Sequence, residues 1–251
     1  MDERLREIVE NIDEYRIGLD DPFKFKCRSC GKCCRNREDI LFTARDVFRI
    51  SKHLGKKPEE VVRAYCEWYI GHDSRVPIIR LQPQGIAKVC PFLEDKHCSI
   101  NEVKPVVCAL YPVGRTMMAN TEGLAEGEEP VYVPGYILQP ADCGSGKKTN
   151  TVRQWLEKFD IPVEDEFYIE WNKALIHISG RMKDLEKHCE QKSLVPLQDA
   201  LFELMYIRYD TEAELLDQFR DNIVEAREIL DEIHRGLQEY LQKTGGDDNG
   251  E

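Results

Sequence analysis

The run Cys27-Arg-Ser-Cys30-Gly-Lys-Cys33-Cys34 places four thiols within eight residues. Thiolates bind soft metal and attack electrophiles, and two-residue gaps on a turning backbone let neighbouring sulfurs reach one ion or cluster. Gly31 supplies the turn. Cys27, Cys30 and Cys33 suit three corners of a cubane whose fourth ligand arrives from far along the chain. A tetrahedral zinc site more often uses two close pairs. Adjacent side chains are expected to diverge, so Cys34 is expected to face a different centre from Cys33.

Four more cysteines stand in turn-like settings. Cys90 opens Cys-Pro-Phe-Leu, Cys98 follows the turn Glu94-Asp-Lys-His97, Cys108 lies in Lys-Pro-Val-Val-Cys-Ala-Leu-Tyr-Pro, and Cys143 in Ala-Asp-Cys-Gly. Eight thiolates divide into two four-ligand sites. A single four-ligand site would leave four spare thiols, which oxidise easily when exposed. The expectation is one or two [4Fe–4S] clusters, with zinc as the alternative. Cys66 and Cys189 sit inside helical patterns and read as small buried apolar residues. His97 adjoins Cys98 but falls in a charged turn, and the other histidines show no paired ligand spacing.

What positions these residues must be read from the rest of the 251-residue chain. That length buries a core without help from metal. No apolar run approaches the roughly 20 residues that cross a bilayer. The start, MDERLREIVENIDEYR, lacks the apolar stretch of a signal peptide. These readings place the protein in the cytoplasm, away from membranes. In that reducing compartment clustered cysteines serve metal or redox chemistry rather than disulfides.

Charge is uneven. Residues 190–251 carry 16 acidic and 6 basic side chains, net −10, against −12 for the whole chain, while residues 20–115 carry 18 basic and 12 acidic, net +6. A basic region raises nucleic acid as a partner. Lys24, Lys26, Arg28, Lys32, Arg35 and Arg37 flank the first cysteines, however, and offsetting thiolate charge is the better use for them.

The periodicities predict mainly α structure with short β segments: a cysteine-rich α+β metal-binding domain over 1–145, a helical region over 151–243, and a disordered tail over 244–251. Residues 1–16 read as an amphipathic helix and 23–27 and 40–43 as short strands. Thr43 and Asp46 form a capping box for a helix over 44–53 that Gly55 ends. Pro58 opens a helix through about Tyr69. Residues 76–90 resemble a hairpin that delivers Cys90, and 115–119 and 131–138 are short apolar stretches around a Gly/Glu-rich loop. GSGKKTN (144–150) reads as a hinge, and its Gly-x-Gly-Lys lacks P-loop spacing. Helices follow over 151–158, 163–189, 196–209 and 211–243, with Pro162 and Pro196 at or just before helix starts. Leu216, Phe219, Ile223, Ala226, Leu230, Ile233, Leu237 and Tyr240 form a heptad seam. It serves packing within the chain or, alternatively, a homodimer. The helical half is the expected docking element for a protein partner.

Taken in order, Cys-x2-Cys-x2-Cys-Cys, Cys90-Pro-Phe-Leu, Cys98-x-Ile and Lys104-Pro-x-x-Cys108-x-x-Tyr111-Pro resemble the CxxCxxCC cysteine-cluster family. The segment from Leu41 to Ser51 with Leu54-Gly is similar to its intervening helix. The resemblance covers about residues 23–115, with Cys143 an outlying member, and Lys104, Tyr111 and Asn101 depart from the usual Arg, Phe and Tyr. It implies a zinc- or iron-chelating or Fe–S protein that acts in electron transfer or as a redox or assembly partner. Flagellin lysine methylases carry a similar cysteine domain, so a methylase with a structural cluster is the enzymatic alternative. Neither a strand–Gly-x-Gly–helix element nor a Cys-x3-Cys-x2-Cys motif accompanies it. A zinc-stabilised binding module is the third reading.

Overall fold

The computed structural model describes residues 10–120, 131–141 and 143–244. In chain order its elements are β1 (Pro22–Lys26), β2 (Leu41–Phe42), α1 (Ala44–Leu54), α2 (Pro58–Tyr65), β3 (Cys66–Ile70), β4 (Pro77–Leu81), β5 (Leu93–Glu94) and β6 (His97–Cys98). Then come α3 (Val106–Leu110), β7 (Val113–Asn120), β8 (Val131–Leu138), β9 (Ser145–Thr151), α4 (Val152–Glu157), α5 (Glu166–Glu186), α6 (Gln191–Phe202) and α7 (Leu215–Thr244). The class is mixed α+β with a helical C-terminal region. Among the described residues no helix is long and apolar enough to cross a membrane.

Two compact units divide the chain, Met1–Phe42 with Arg80–Asn172, and Thr43–Ile79 with Lys173–Glu251. Chain order and contact order therefore differ from a simple cut near residues 145–151, because residues 43–79 pack with the C-terminal helices.

In the first unit β1 pairs antiparallel with β9, Phe23 opposite Asn150 and Lys26 opposite Ser145. The inward residues of β1, Phe23 and Phe25, meet Trp155 edge-on at 5.8 Å each. Leu110, Val113, Tyr136, Val152, Leu156 and Ile161 complete that core. Alternation along β1 gives one buried face, as period-two geometry requires. β7 and β8 form a long antiparallel pair from Val113–Leu138 to Asn120–Val131. Arg115 donates to Asp165 at 2.7 Å, a buried pair, and Asp165 also accepts from the Tyr168 N–H at the start of α5.

In the second unit the Thr43–Asp46 capping box opens α1, and Gly55 closes it at φ 61°. Ile50, Ile178, Met182, Leu201, Met205, Phe219 and Leu230 are fully buried there. Along α7 the seam residues Phe219, Ile223, Ala226 and Leu230 are buried, while Ile233 and Tyr240 are exposed.

Several sequence expectations are corrected. GSGKKTN is not a hinge: its residues form β9, whose ladder with β1 satisfies the backbone groups a linker would leave to water. The helix from Pro58 stops at Tyr65, and Cys66-Glu-Trp-Tyr-Ile continues as strand β3, as its aromatic and branched side chains favour. Pro196 lies inside α6 rather than at its start. Burial of Leu194, Leu197 and Leu201 on one helical face outweighs the hydrogen bond that proline removes. The stretch 76–90 keeps β4 and then narrows to a Gln84–Val89 bridge across Gly85, which has φ 66°. Of the predicted N-terminal helix, residues 1–9 lie outside the described residues and Ile12–Tyr15 form a 3-10 turn. The Gly/Glu-rich loop over 121–130 and the tail over 245–251 also lie outside them.

Candidate metal centre

Five short devices bring the cysteines of the first unit together. Gly31, at φ 67°, turns the chain into the 3-10 turn Lys32–Cys34, a conformation glycine adopts without Cβ strain. Its Cα faces Leu93, so a Cβ there would meet the leucine methyl at 3.3 Å. Cys90 N–H donates to Cys34 O at 2.9 Å and Asn36 N–H to Lys88 O at 2.9 Å, which fastens the first cysteine run to the second. The hairpin β5–β6 turns through Asp95 and Lys96 at φ 45° and 67° and sets Cys98 opposite Leu93. Two successive positive φ values are the type I′ signature. Helix α3 carries Cys108, with Trp155 Nε1 donating to Leu110 O at 2.9 Å beneath it.

The fifth device recruits Cys143. Cys27 follows the end of β1 and Cys143 precedes β9, so the antiparallel ladder brings them to the same end. Gly144 takes φ 85° against Phe25, where a Cβ would come within 2.4 Å of the ring. Phe25 in turn meets Tyr111 edge-on at 6.0 Å.

The result is one cavity of about 290 Å³ whose wall includes Cys27, Cys30, Cys33, Cys34, Cys90, Cys98, Cys108 and Cys143. These are the eight cysteines singled out from spacing. Cys66 and Cys189 belong to the other unit, Cys66 buried. Cys27 and Cys30 are exposed and the other six are half-buried. Cys33 Sγ and Cys34 Sγ lie 3.9 Å apart. Their side chains do not diverge as adjacent residues on extended backbone would, because the 3-10 turn curls both toward the same space. His97 stands at the wall too, in the exposed turn, with Nδ1 2.9 Å from Asp95 O.

Among the described residues, no three His, Cys, Asp or Glu side chains converge tightly enough to hold a single ion.

Their electrostatics follow from crowding. The Cys34 contact, then burial, holds the Cys33 thiol far above its ordinary range. Burial, then Cys90, Cys33 and Cys98, does the same to Cys108. Burial raises Cys90 and Cys98. Cys143 is pushed up to about 11 by burial, then by Cys33 and Cys30, while a hydrogen bond from Tyr111 opposes the rise. Each thiolate makes the next harder to form, so ionising the set needs cationic charge among them, which bound metal supplies. The donor set is all sulfur and fits a metal–thiolate group in kind.

Two features had no signal in cysteine spacing. Arg37 reaches the cavity wall with its guanidinium held by Asp39, through Nε to Oδ1 at 2.5 Å and NH2 to Oδ2 at 2.8 Å. Lys104 is at the wall as well, its ammonium 4.5 Å from the Phe159 ring centre and 3.3 Å from Asn101 Oδ1. The sequence named Arg37 as one of six cations suited to offset thiolate charge without choosing among them, and gave Lys104 no such role.

Residues 26–126 match the family model CxxCxxCC, described as a "putative zinc- or iron-chelating domain". Seven of the eight cysteines fall inside that match, and Cys143 lies beyond it. No curated protein and no solved structure matches the chain.

Proposed function

From that match and the shared cavity we propose that the protein is an iron–sulfur protein that carries one or two [4Fe–4S] clusters in the first unit and works in electron transfer or as a redox or assembly partner. The observation that carries this reading is the eight thiols around one space. A single tetrahedral ion needs four donors within about 2.3 Å of one point. A cluster brings its own bridging sulfides and is satisfied by thiolates spread around it.

When bound, such a group supplies one-electron redox chemistry. The chain's own part is to hold and shield it. Ligands come from Cys27, Cys30, Cys33, Cys34, Cys90, Cys98, Cys108 and Cys143. Ile40, Leu81, Phe92 and Ile100 line the same wall and exclude water from the deep side. The exposed Cys27 and Cys30 mark the edge nearest solvent, where a redox partner would approach.

Zinc is the second reading, because an all-thiolate donor set serves it equally in chemistry and the matched family is described for either metal. Purification without oxygen, followed by iron, zinc and acid-labile sulfide analysis with a visible spectrum, separates the two. Iron and sulfide in matching amounts with broad visible absorption are expected. Stoichiometric zinc with no sulfide would overturn the cluster reading in favour of a zinc-stabilised module.

A further inference from the structure

Of the six cations that flank the first cysteine run, five (Lys24, Lys26, Arg28, Lys32 and Arg35) are exposed to solvent. Water and salt screen such charges strongly. Arg37 differs. Its side chain is 21% exposed and that of its partner Asp39 16%. The two bonds that Arg37 donates to Asp39 hold the guanidinium in one orientation, the planar fork that carboxylates pair with best.

Arg37 also lies between two spaces. It lines the main cavity and a smaller one of about 30 Å³, and both share Cys33, Cys34, Cys90 and Cys108. A positive charge thus lines both spaces beside the four thiols that they share. Lys104 also lines the main cavity but not the smaller one, its ammonium over the Phe159 ring and beside Asn101 Oδ1. Lys88, in the wall of the smaller space, is paired with Glu38.

We propose that Arg37, oriented by Asp39, is the charge-compensating positioning residue of the thiolate centre, acting on the shared Cys33, Cys34, Cys90 and Cys108 to set how tightly metal is retained. This rests on the metal–thiolate reading of the cavity. A guanidinium stays charged at any working pH and cannot itself ligate metal, so it lends positive charge without competing for the site. A fixed cation beside an anionic centre stabilises its charged, loaded form, so removing it weakens retention by about tenfold.

The test uses the full chain, purified without oxygen as wild type, Arg37→Gln and Arg37→Lys. Bound metal is measured first, then the EDTA concentration that removes half of it, with far-ultraviolet circular dichroism on each sample. Arg37→Gln is expected to lose half its metal at about tenfold less EDTA, with an unchanged dichroism spectrum. Arg37→Lys keeps the charge but loses the two-pronged pairing with Asp39, and is expected to fall between wild type and Arg37→Gln. If Arg37→Gln matches wild type, or if Arg37→Lys loses as much as Arg37→Gln, charge compensation is wrong. Should Arg37→Gln fail to fold, Arg37→Lys decides alone, and a tenfold loss there overturns the proposal. Wild type that carries no metal would sink the metal reading itself and this proposal with it, an outcome visible before any variant is compared.

Discussion

Trp155 Nε1 donates to the carbonyl of Leu110 over 2.9 Å inside the first unit's core. The bond joins α4, which follows the strand beside Cys143, to α3, which carries Cys108. Two cysteines 35 positions apart in sequence thus share one buried anchor.

Trp155→Phe keeps most of the ring and removes the donor. Leaving a buried carbonyl unpaired costs about 1–3 kcal/mol. Urea denaturation of the metal-free variant is expected to show that loss, and chelator is expected to strip its metal faster than from wild type. An unchanged midpoint would mean that water replaces the indole.

Gly144→Ala tests the approach of β9 to β1. A methyl placed 2.4 Å from the Phe25 ring must push an aromatic side chain that is itself packed on Trp155 and Tyr111. Overpacking of this kind costs about 1–3 kcal/mol, and the positive φ adds about 1 kcal/mol more. Thermal unfolding should fall accordingly. Metal content should fall too, since Cys143 is the neighbouring residue; full metal content with a lowered Tm would remove Cys143 from the ligand set.

Cys34→Ser distinguishes one shared centre from two. With Cys33 and Cys34 sulfurs 3.9 Å apart in one cavity, the variant is expected to lose essentially all its metal. Loss of about half, by elemental analysis of anaerobically purified protein, would restore the two-centre arrangement that eight thiolates allow.

Cys66 gives the second unit a pH signature. Burial, then Asp46, pushes its thiol up to about 12 in the folded protein, whereas an unfolded cysteine ionises near ~8.5. Between those values the unfolded chain has released a proton that the folded chain retains, so stability falls as pH rises. The contribution is complete below about pH 8.5 and is lost up to about pH 12. One such group steepens the decline by up to ~1.4 kcal/mol per pH unit. Denaturant titrations at pH 8, 9, 10 and 11 should show a shallower decline for Cys66→Ala than for wild type. Parallel curves would contradict this.

The spacing of thiols was legible without a fold, because metal chemistry is written in residue type and in gaps of two. Capping and termination were legible as well: Thr43, Asp46 and Gly55 act through bonds that span three or four residues, so local sequence suffices. The strand at 144–150 was not, since glycine, serine and lysine there have little strand preference of their own. Only the ladder to β1, more than a hundred residues away, makes it a strand. The same holds for β3 after Tyr65 and for the proline inside α6, where packing across the unit overrides local preference.

By itself, then, the sequence singled out eight thiols in a basic surrounding as a donor set of the metal-binding kind. Tertiary structure decided that they line one cavity, that Cys33 and Cys34 turn to the same side, and that Arg37 rather than its five exposed neighbours stands among them. Residue types carry donor chemistry wherever they fall. Convergence, burial and the choice of one cation among six depend on contacts between segments that are distant in the chain.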